Sequence, residues 1–173
     1  ICAVFAKETS DTEDETEIII FSLEPTKGDI TVLSRIQDVY CESFSLAFTN
    51  SKSPVLAFIT KSGILQLWKI GEEGNLQQLA SVPNAGFGIL GIEISQDNSM
   101  LAISSQNSTV TLWSLDLLKQ GAGQNAVLAI LAGHRYKVKK AAFSPNGEML
   151  ATPGIDKTIR LWDVAAALQE AKE

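Results

Sequence analysis

Three short apolar strands each end in tryptophan: ILQLW at Trp68, TVTLW at Trp113 and TIRLW at Trp162. A unit that recurs constrains a fold strongly, because it must bury its apolar face against copies of itself. Counting back from Trp68 by a similar interval reaches Phe21 in EIIIFSLE, which aligns with TVTLWSLD as a degenerate fourth member. Upstream, ISQDNSMLAISSQNSTVTLW runs over AFSPNGEMLATPGIDKTIRLW without a gap from Ile94 to Trp113, and SLAFTNSKSPVLAFITKSGILQLW follows the same plan one residue shorter. After the aromatic strand comes a polar turn and one more apolar strand, in GDITVLSRI, GNLQQLASV and NAVLAILAGH.

Each unit therefore reads as four strands joined by Gly, Asn, Asp and Ser turns, an all-β pattern of hairpins. A small four-stranded sheet cannot bury both of its faces alone, so units of this length predict a β-propeller of antiparallel blades, about four repeats forming a partial ring. The expected divisions are a partial blade at 1–36, blades at 37–82, 83–131 and 132–164, the last without a convincing fourth strand, and a tail at 165–173. Helical pattern is expected only there, in AAALQEAKE. Pro153 removes a backbone donor from an interior strand, which predicts a bulge or an early strand end that displaces Thr152.

At 173 residues, 45% hydrophobic and 20% charged, the chain has the composition of a soluble globular protein. A net charge of −6 argues against a whole-surface grip on phosphate backbones. Cys2 and Cys41 form no C-x-x-C pair and no disulfide framework, which favours an intracellular setting, cytoplasmic or nuclear. No apolar run approaches the ~20 residues of a membrane span. ICAVFAKE has neither an initiator Met nor a basic leader, and already reads as a strand, which leads us to expect a piece of a longer protein.

The last repeat, from Gly133 to Asp163, carries Gly133-His134 at one end, Phe143-Ser144-Pro145-Asn146-Gly147 at the first hairpin, Asp156-Lys157-Thr158-Ile159 at the second and Trp162-Asp163 at the other end. It resembles the WD-repeat family of transducin β-like propellers, named for those dipeptides. The resemblance covers nearly the whole chain and is strongest from Ile94 onward. It implies a structural hydrogen-bond chain through Asp156, His134, Thr152 and Trp162, in which a carboxylate holds an imidazole, the imidazole meets a hydroxyl, and that oxygen accepts from the indole. In the preceding repeat the matching positions are Asn107, Ala85, Ile103 and Trp113, so that chain is broken.

The residues offer few routes to catalysis. His134 with Asp156 and Thr152 has the makings of a nucleophilic triad, but the Gly-His context and the absence of G-x-S-x-G favour structure. Gly86, Gly88 and Gly91 satisfy G-x-G-x-x-G, yet a strand pattern follows where a dinucleotide site needs a helix. The expectation is a non-enzymatic chain without cofactor or metal.

Two charged segments remain. Glu8 to Glu17, with Asp11, Glu13, Asp14 and Glu15, is either a solvated loop or a dock for a basic partner, and Ser10 and Thr12 resemble acidophilic kinase targets. Arg135, Tyr136, Lys137, Lys139 and Lys140 are either a solvated strand edge or a seat for an acidic peptide or a stacked base. The resemblance implies a scaffold that binds other proteins or peptides through loops and blade faces. The alternative is a ribonucleoprotein role through the Arg135–Lys140 cluster.

Overall fold

In the computed structural model, residues 2–7, 16–24, 29–37, 46–49, 51–60, 62–86 and 88–172 are described, and their strands form four antiparallel sheets. The first holds β1 (Cys2–Lys7), β2 (Thr16–Glu24) and β3 (Asp29–Ile36). The second holds β4 (Leu46–Phe48), β5 (Val55–Ile59), β6 (Leu65–Ile70) and β7 (Leu76–Val82). The third holds β8 (Ile89–Ile94), β9 (Met100–Ser105), β10 (Thr109–Ser114) and β11 (Val127–Ala132), and the fourth β12 (Ala142–Phe143), β13 (Met149–Pro153) and β14 (Ile159–Asp163). Within each sheet neighbours in sequence are neighbours in space.

The hairpins follow from local chemistry that repeats between sheets. Before β9 and β13, Ser95 and Ser144 hydroxyls donate to Asp97 and Asn146 at 2.6 and 2.7 Å and accept from the Met100 and Met149 amides, both at 3.0 Å. The next residues, Asn98 and Gly147, adopt positive φ of 60° and 74°. These are the residue types that tolerate the left-handed turn.

Alternation along each strand sends side chains to opposite neighbours. Ile18, Ile20 and Ile36 of the first sheet pack with Leu56, Phe58 and Ile70 of the second. Val55, Ala57 and Ile59, one residue out of phase, pack with Ile92, Leu101, Ile103 and Trp113 of the third. Ala102, Val110 and Leu112 then meet Leu150 of the fourth, with Val138 and Ala141 from the segment that leads into it. Each fully buried aliphatic side chain contributes about 1.5–3 kcal/mol, so these three cores, lying between successive sheets, hold the stack together. This is the face-to-face succession of propeller blades.

Where the aromatic strand meets the last strand of its sheet, register breaks immediately before the aromatic residue, between Ile20 and Phe21, Leu67 and Trp68, and Leu112 and Trp113. A polar residue after Trp then caps a short helix. Ser114 Oγ accepts from Leu117 N–H at 3.2 Å to start α1 (Leu115–Lys119), and Asp163 Oδ1 accepts from Ala166 N–H at 2.9 Å to start α2 (Val164–Glu170). α1 corrects the expectation that helix is absent before the C-terminal segment.

Of the bulge or early strand end expected at Pro153, β13 does end at Pro153, but no bulge forms and Thr152 is not displaced. β13 and β14 stay in register from Met149↔Asp163 to Pro153↔Ile159. The Pro153 carbonyl accepts from Lys139 N–H at 2.9 Å, while Gly154 N–H donates toward Thr158. Backbone groups of one residue point to one side of an antiparallel strand. The donor that proline lacks therefore faces the β12 side, beyond the end of that two-residue strand, and no bond to β14 is lost.

Candidate functional site

The segment between β11 and β12 is fastened across the turn from β13 to β14. Ile155 N–H donates to the Lys137 carbonyl at 2.9 Å, and Val138 bridges Gly154. This brings the Gly-His element against the Asp156 turn. His134 Nδ1 lies 2.9 Å from Asp156 Oδ2, and Nε2 lies 2.9 Å from Thr152 Oγ1. Trp162 Nε1 donates to Thr152 Oγ1 at 2.8 Å.

One set of roles satisfies every atom: Nδ1–H donates to the carboxylate, Thr152 O–H donates to Nε2, and the indole N–H donates to the threonine oxygen. The His134 and Asp156 side chains are only 1% and 5% exposed, and Thr152 is fully buried. With no open face for a reactant, the arrangement suits orientation rather than nucleophilic chemistry.

Asp156 is the most heavily engaged group. Its Oδ1 accepts from Thr158 Oγ1 at 2.7 Å and Thr158 N–H at 3.1 Å, and its Oδ2 accepts from Arg135 N–H at 3.0 Å. The Thr158 hydroxyl first, then the Arg135 amide, hold its carboxyl far below the usual carboxylate range, against an opposing desolvation. Gly154 is required for space, since a Cβ there would strike His134 Nδ1 and Asp156 Oδ1.

The other tryptophans solve the same problem differently. Trp113 Nε1 donates to Thr111 Oγ1 at 2.9 Å, and Trp68 Nε1 donates to Gln66 Oε1 at 2.9 Å. Each partner lies two residues earlier on the same strand, where side chains share a face. Asn107 keeps its turn by accepting from Thr109 N–H at 3.1 Å, with Ser105 Oγ also donating to it in place of a histidine. The polar residue two before each tryptophan was the available signal.

Of the expected partner-binding residues, Arg135, Tyr136 and Lys137 are exposed, Tyr136 to 63%. Lys140 stands apart, its Nζ paired with Glu93 Oε2 at 3.0 Å. The β13–β14 turn adds Ile155, 50% exposed, and Lys157, with exposed Arg160 following on β14 beside Gly133. The β13–β14 turn and Arg160 were missed because they lie far from the cluster in sequence. Among the described residues, Arg135, Lys137, Lys157 and Arg160 take part in no ion pair, and the nearby carboxylate, Asp156, is fully engaged. Asp11, Glu13, Asp14 and Glu15, with Ser10 and Thr12, lie outside the described residues.

Gly86 and Gly88 have positive φ and lead into β8, a strand rather than the helix a pyrophosphate cradle needs. Among the described residues no group of three metal-binding side chains gathers, and no helix is long and apolar enough to cross a membrane.

Comparison with known proteins agrees with the geometry. Residues 125–163 match the model of the WD domain, G-beta repeat. The chain is 33% identical over 150 residues, 82% of its length, to telomerase protein component 1 of Rattus norvegicus, of which it covers 6%. It is 33% identical over 81 residues, 47% of its length, to a WD40 repeat-containing protein of Dictyostelium discoideum, of which it covers 12%. It is 27% identical over 126 residues to probable cytosolic iron-sulfur protein assembly protein 1 of Scheffersomyces stipitis, covering 64% of this chain and 35% of that protein. The chain thus spans little more than a third of these relatives at most. With the repeat, the stacked four-stranded sheets and these matches together, the chain belongs to the WD-repeat β-propeller family.

Proposed function

We propose that the chain is a protein-interaction scaffold whose docking surface is the exposed end of its fourth sheet, and that this surface takes acidic segments of partner proteins. One observation carries the reading. Arg135, Lys137, Lys157 and Arg160 stand exposed and free of ion pairs among the described residues, around two exposed apolar side chains, Tyr136 and Ile155, on a chain of net charge −6. Cations that surround an aromatic and an aliphatic anchor suit a peptide carrying Asp or Glu beside one apolar residue. Such charge steers association and is screened over roughly 8–10 Å at physiological salt.

A second reading, single-stranded RNA, draws on the aromatic set between cations and on the likeness to a telomerase component. Fluorescence anisotropy with a labelled acidic peptide containing one leucine, and with a labelled oligouridylate, separates the two. The first reading expects peptide binding that weakens at least tenfold in the Arg135→Glu, Lys137→Glu variant and falls with salt. Tighter binding of oligouridylate, lost in the same variant, supports the second. Binding of neither sinks both.

A further inference from the structure

The segment that carries Arg135, Tyr136 and Lys137 begins and ends against one turn of the third sheet. At its start Ala132 pairs with Thr109, and at its end Val138 N–H donates to the Ser105 carbonyl at 3.1 Å. Just beyond, a Cβ at Gly91 would strike the Lys140 backbone, and Lys140 Nζ pairs with Glu93 Oε2 at 3.0 Å. The β9–β10 turn, residues 106–108, is therefore bracketed by this segment, and the surface that bears the free cations continues onto the third sheet.

That turn is built like the β13–β14 turn. Gln106 N–H donates to the Gly88 carbonyl at 2.9 Å, as Ile155 N–H does to Lys137, and Ser108 and Lys157 both take positive φ, 71° and 65°. Asn107 thus stands where Asp156 stands, and Ala85 where His134 stands, with the same separation in sequence. The Asp156 side chain, bonded to its histidine, is 5% exposed, whereas Ala85 offers no such partner and Asn107 is exposed. Asn107 Oδ1 accepts from Ser105 Oγ, from Thr109 N–H at 3.1 Å and from Thr109 Oγ1 at 2.6 Å. Only the oxygen of the amide can answer the Thr109 N–H, so these bonds fix its orientation. Nδ2 meets no acceptor among the described residues, which leaves an exposed donor held in one direction.

We infer that Asn107 is a selectivity residue of the docking surface, its amide donating to a main-chain carbonyl of the bound acidic segment. A neutral donor suits that acceptor, because the segment's carboxylates are drawn to Arg135 and Lys137. A donor already fixed by three bonds loses little rotamer freedom on binding. It also sets the position of a ligand that charge attraction alone leaves free to slide. The role of Asn107 rests on the docking of an acidic segment proposed above.

Two variants keep the turn. Ser62 holds this position in the second sheet, its hydroxyl 2.9 Å from Thr60 Oγ1, so Asn107→Ser removes the donor without a change of charge. Asn107→Asp retains the bonds to Oδ1, as Asp156 does with Thr158, and turns the donor into an acceptor. Slow amide exchange at the fully buried Leu112 reports an intact sheet, and if Asn107→Ser loses it, Asn107→Asp decides. The measurement is fluorescence anisotropy with the labelled acidic peptide at two salt concentrations that both permit binding. Asn107→Ser is expected to weaken binding about three- to tenfold, the scale of one neutral hydrogen bond, and by the same factor at both. Asn107→Asp is expected to weaken it more than tenfold. Unchanged binding in either folded variant, or a loss in Asn107→Ser that shrinks with salt, overturns the inference, while sensitivity to Arg135→Glu, Lys137→Glu keeps the docking reading. A wild-type chain that binds no acidic peptide overturns both.

Discussion

At the scale of single residues, the fourth sheet concentrates its polar bonding on Thr152 and Asp156. Thr152→Val keeps the shape of a fully buried side chain but strips the acceptor from Trp162 and the donor from His134. A buried polar group left without a partner costs about 1–3 kcal/mol, so urea denaturation should show a loss of that order. A loss below about 0.5 kcal/mol, the scale of a neutral surface change, would show that the hydroxyl is not a link. Asp156 adds a pH dependence whose sign is fixed. Its carboxyl titrates lower in the folded chain than its ordinary 3.8, so its stabilisation is fully present above that value and disappears as pH falls through the lowered one. The thermal midpoint of the chain should drop more steeply below pH 4 than that of Asp156→Asn, and parallel curves would assign the acid sensitivity to other carboxylates. The resemblance of the last repeat to the WD-repeat family implied the chain through His134, Thr152, Asp156 and Trp162, and the structure brings these four side chains within hydrogen-bond distance. The Gln66 and Thr111 partners of the other indoles were not legible, because the family pattern places the indole's partner on the neighbouring strand, where this chain has an apolar residue such as Ile103.

At the scale of strands and turns, the same alignment explains what the sequence disclosed and what it concealed. Apolar alternation and the turn residues located the strands, since strands such as β5, β9 and β10 bury apolar side chains against a neighbouring sheet. α1 escaped notice because its five residues make little more than one helical turn, and the segment after Trp113 reads as a polar turn. The effect of Pro153 was misjudged for a reason of direction. Whether proline harms a strand depends on which side its missing donor faces, and sequence does not state that. Gly154 shows the converse, a demand for space that only the folded turn reveals. Gly154→Ala forces a methyl group into His134 and Asp156, and the turn must open. We expect this variant to expose Trp162, seen as a red shift of its emission in a Trp68→Phe, Trp113→Phe background, while His134→Gln at the same site shifts it less. An unchanged spectrum would mean the turn relaxes without moving the indole.

Across the whole molecule, each apolar core among the described residues joins two successive sheets, so stability is close to a sum of sheet and interface contributions. Equivalent residues can then have unequal worth depending on what stands beyond them. Leu112 and Leu161 occupy the same register position, one residue before tryptophan, yet Leu112 is fully buried against the fourth sheet and Leu161 is 68% exposed. Truncating a buried leucine costs about 2–5 kcal/mol, whereas an exposed change stays within about 0.5 kcal/mol. Leu112→Ala should therefore lower the urea midpoint strongly and Leu161→Ala should leave it in place. Because the core between the first two sheets contains no residue of β10, the damage from Leu112→Ala should be uneven as well. Amides of β13 and β14 should exchange faster by a larger factor than those of β2 and β5. Uniform acceleration across all four sheets would show that the stack unfolds as one unit and that the nearest-neighbour description fails. Equal costs at the two leucines would show that the face of β14 is covered in solution.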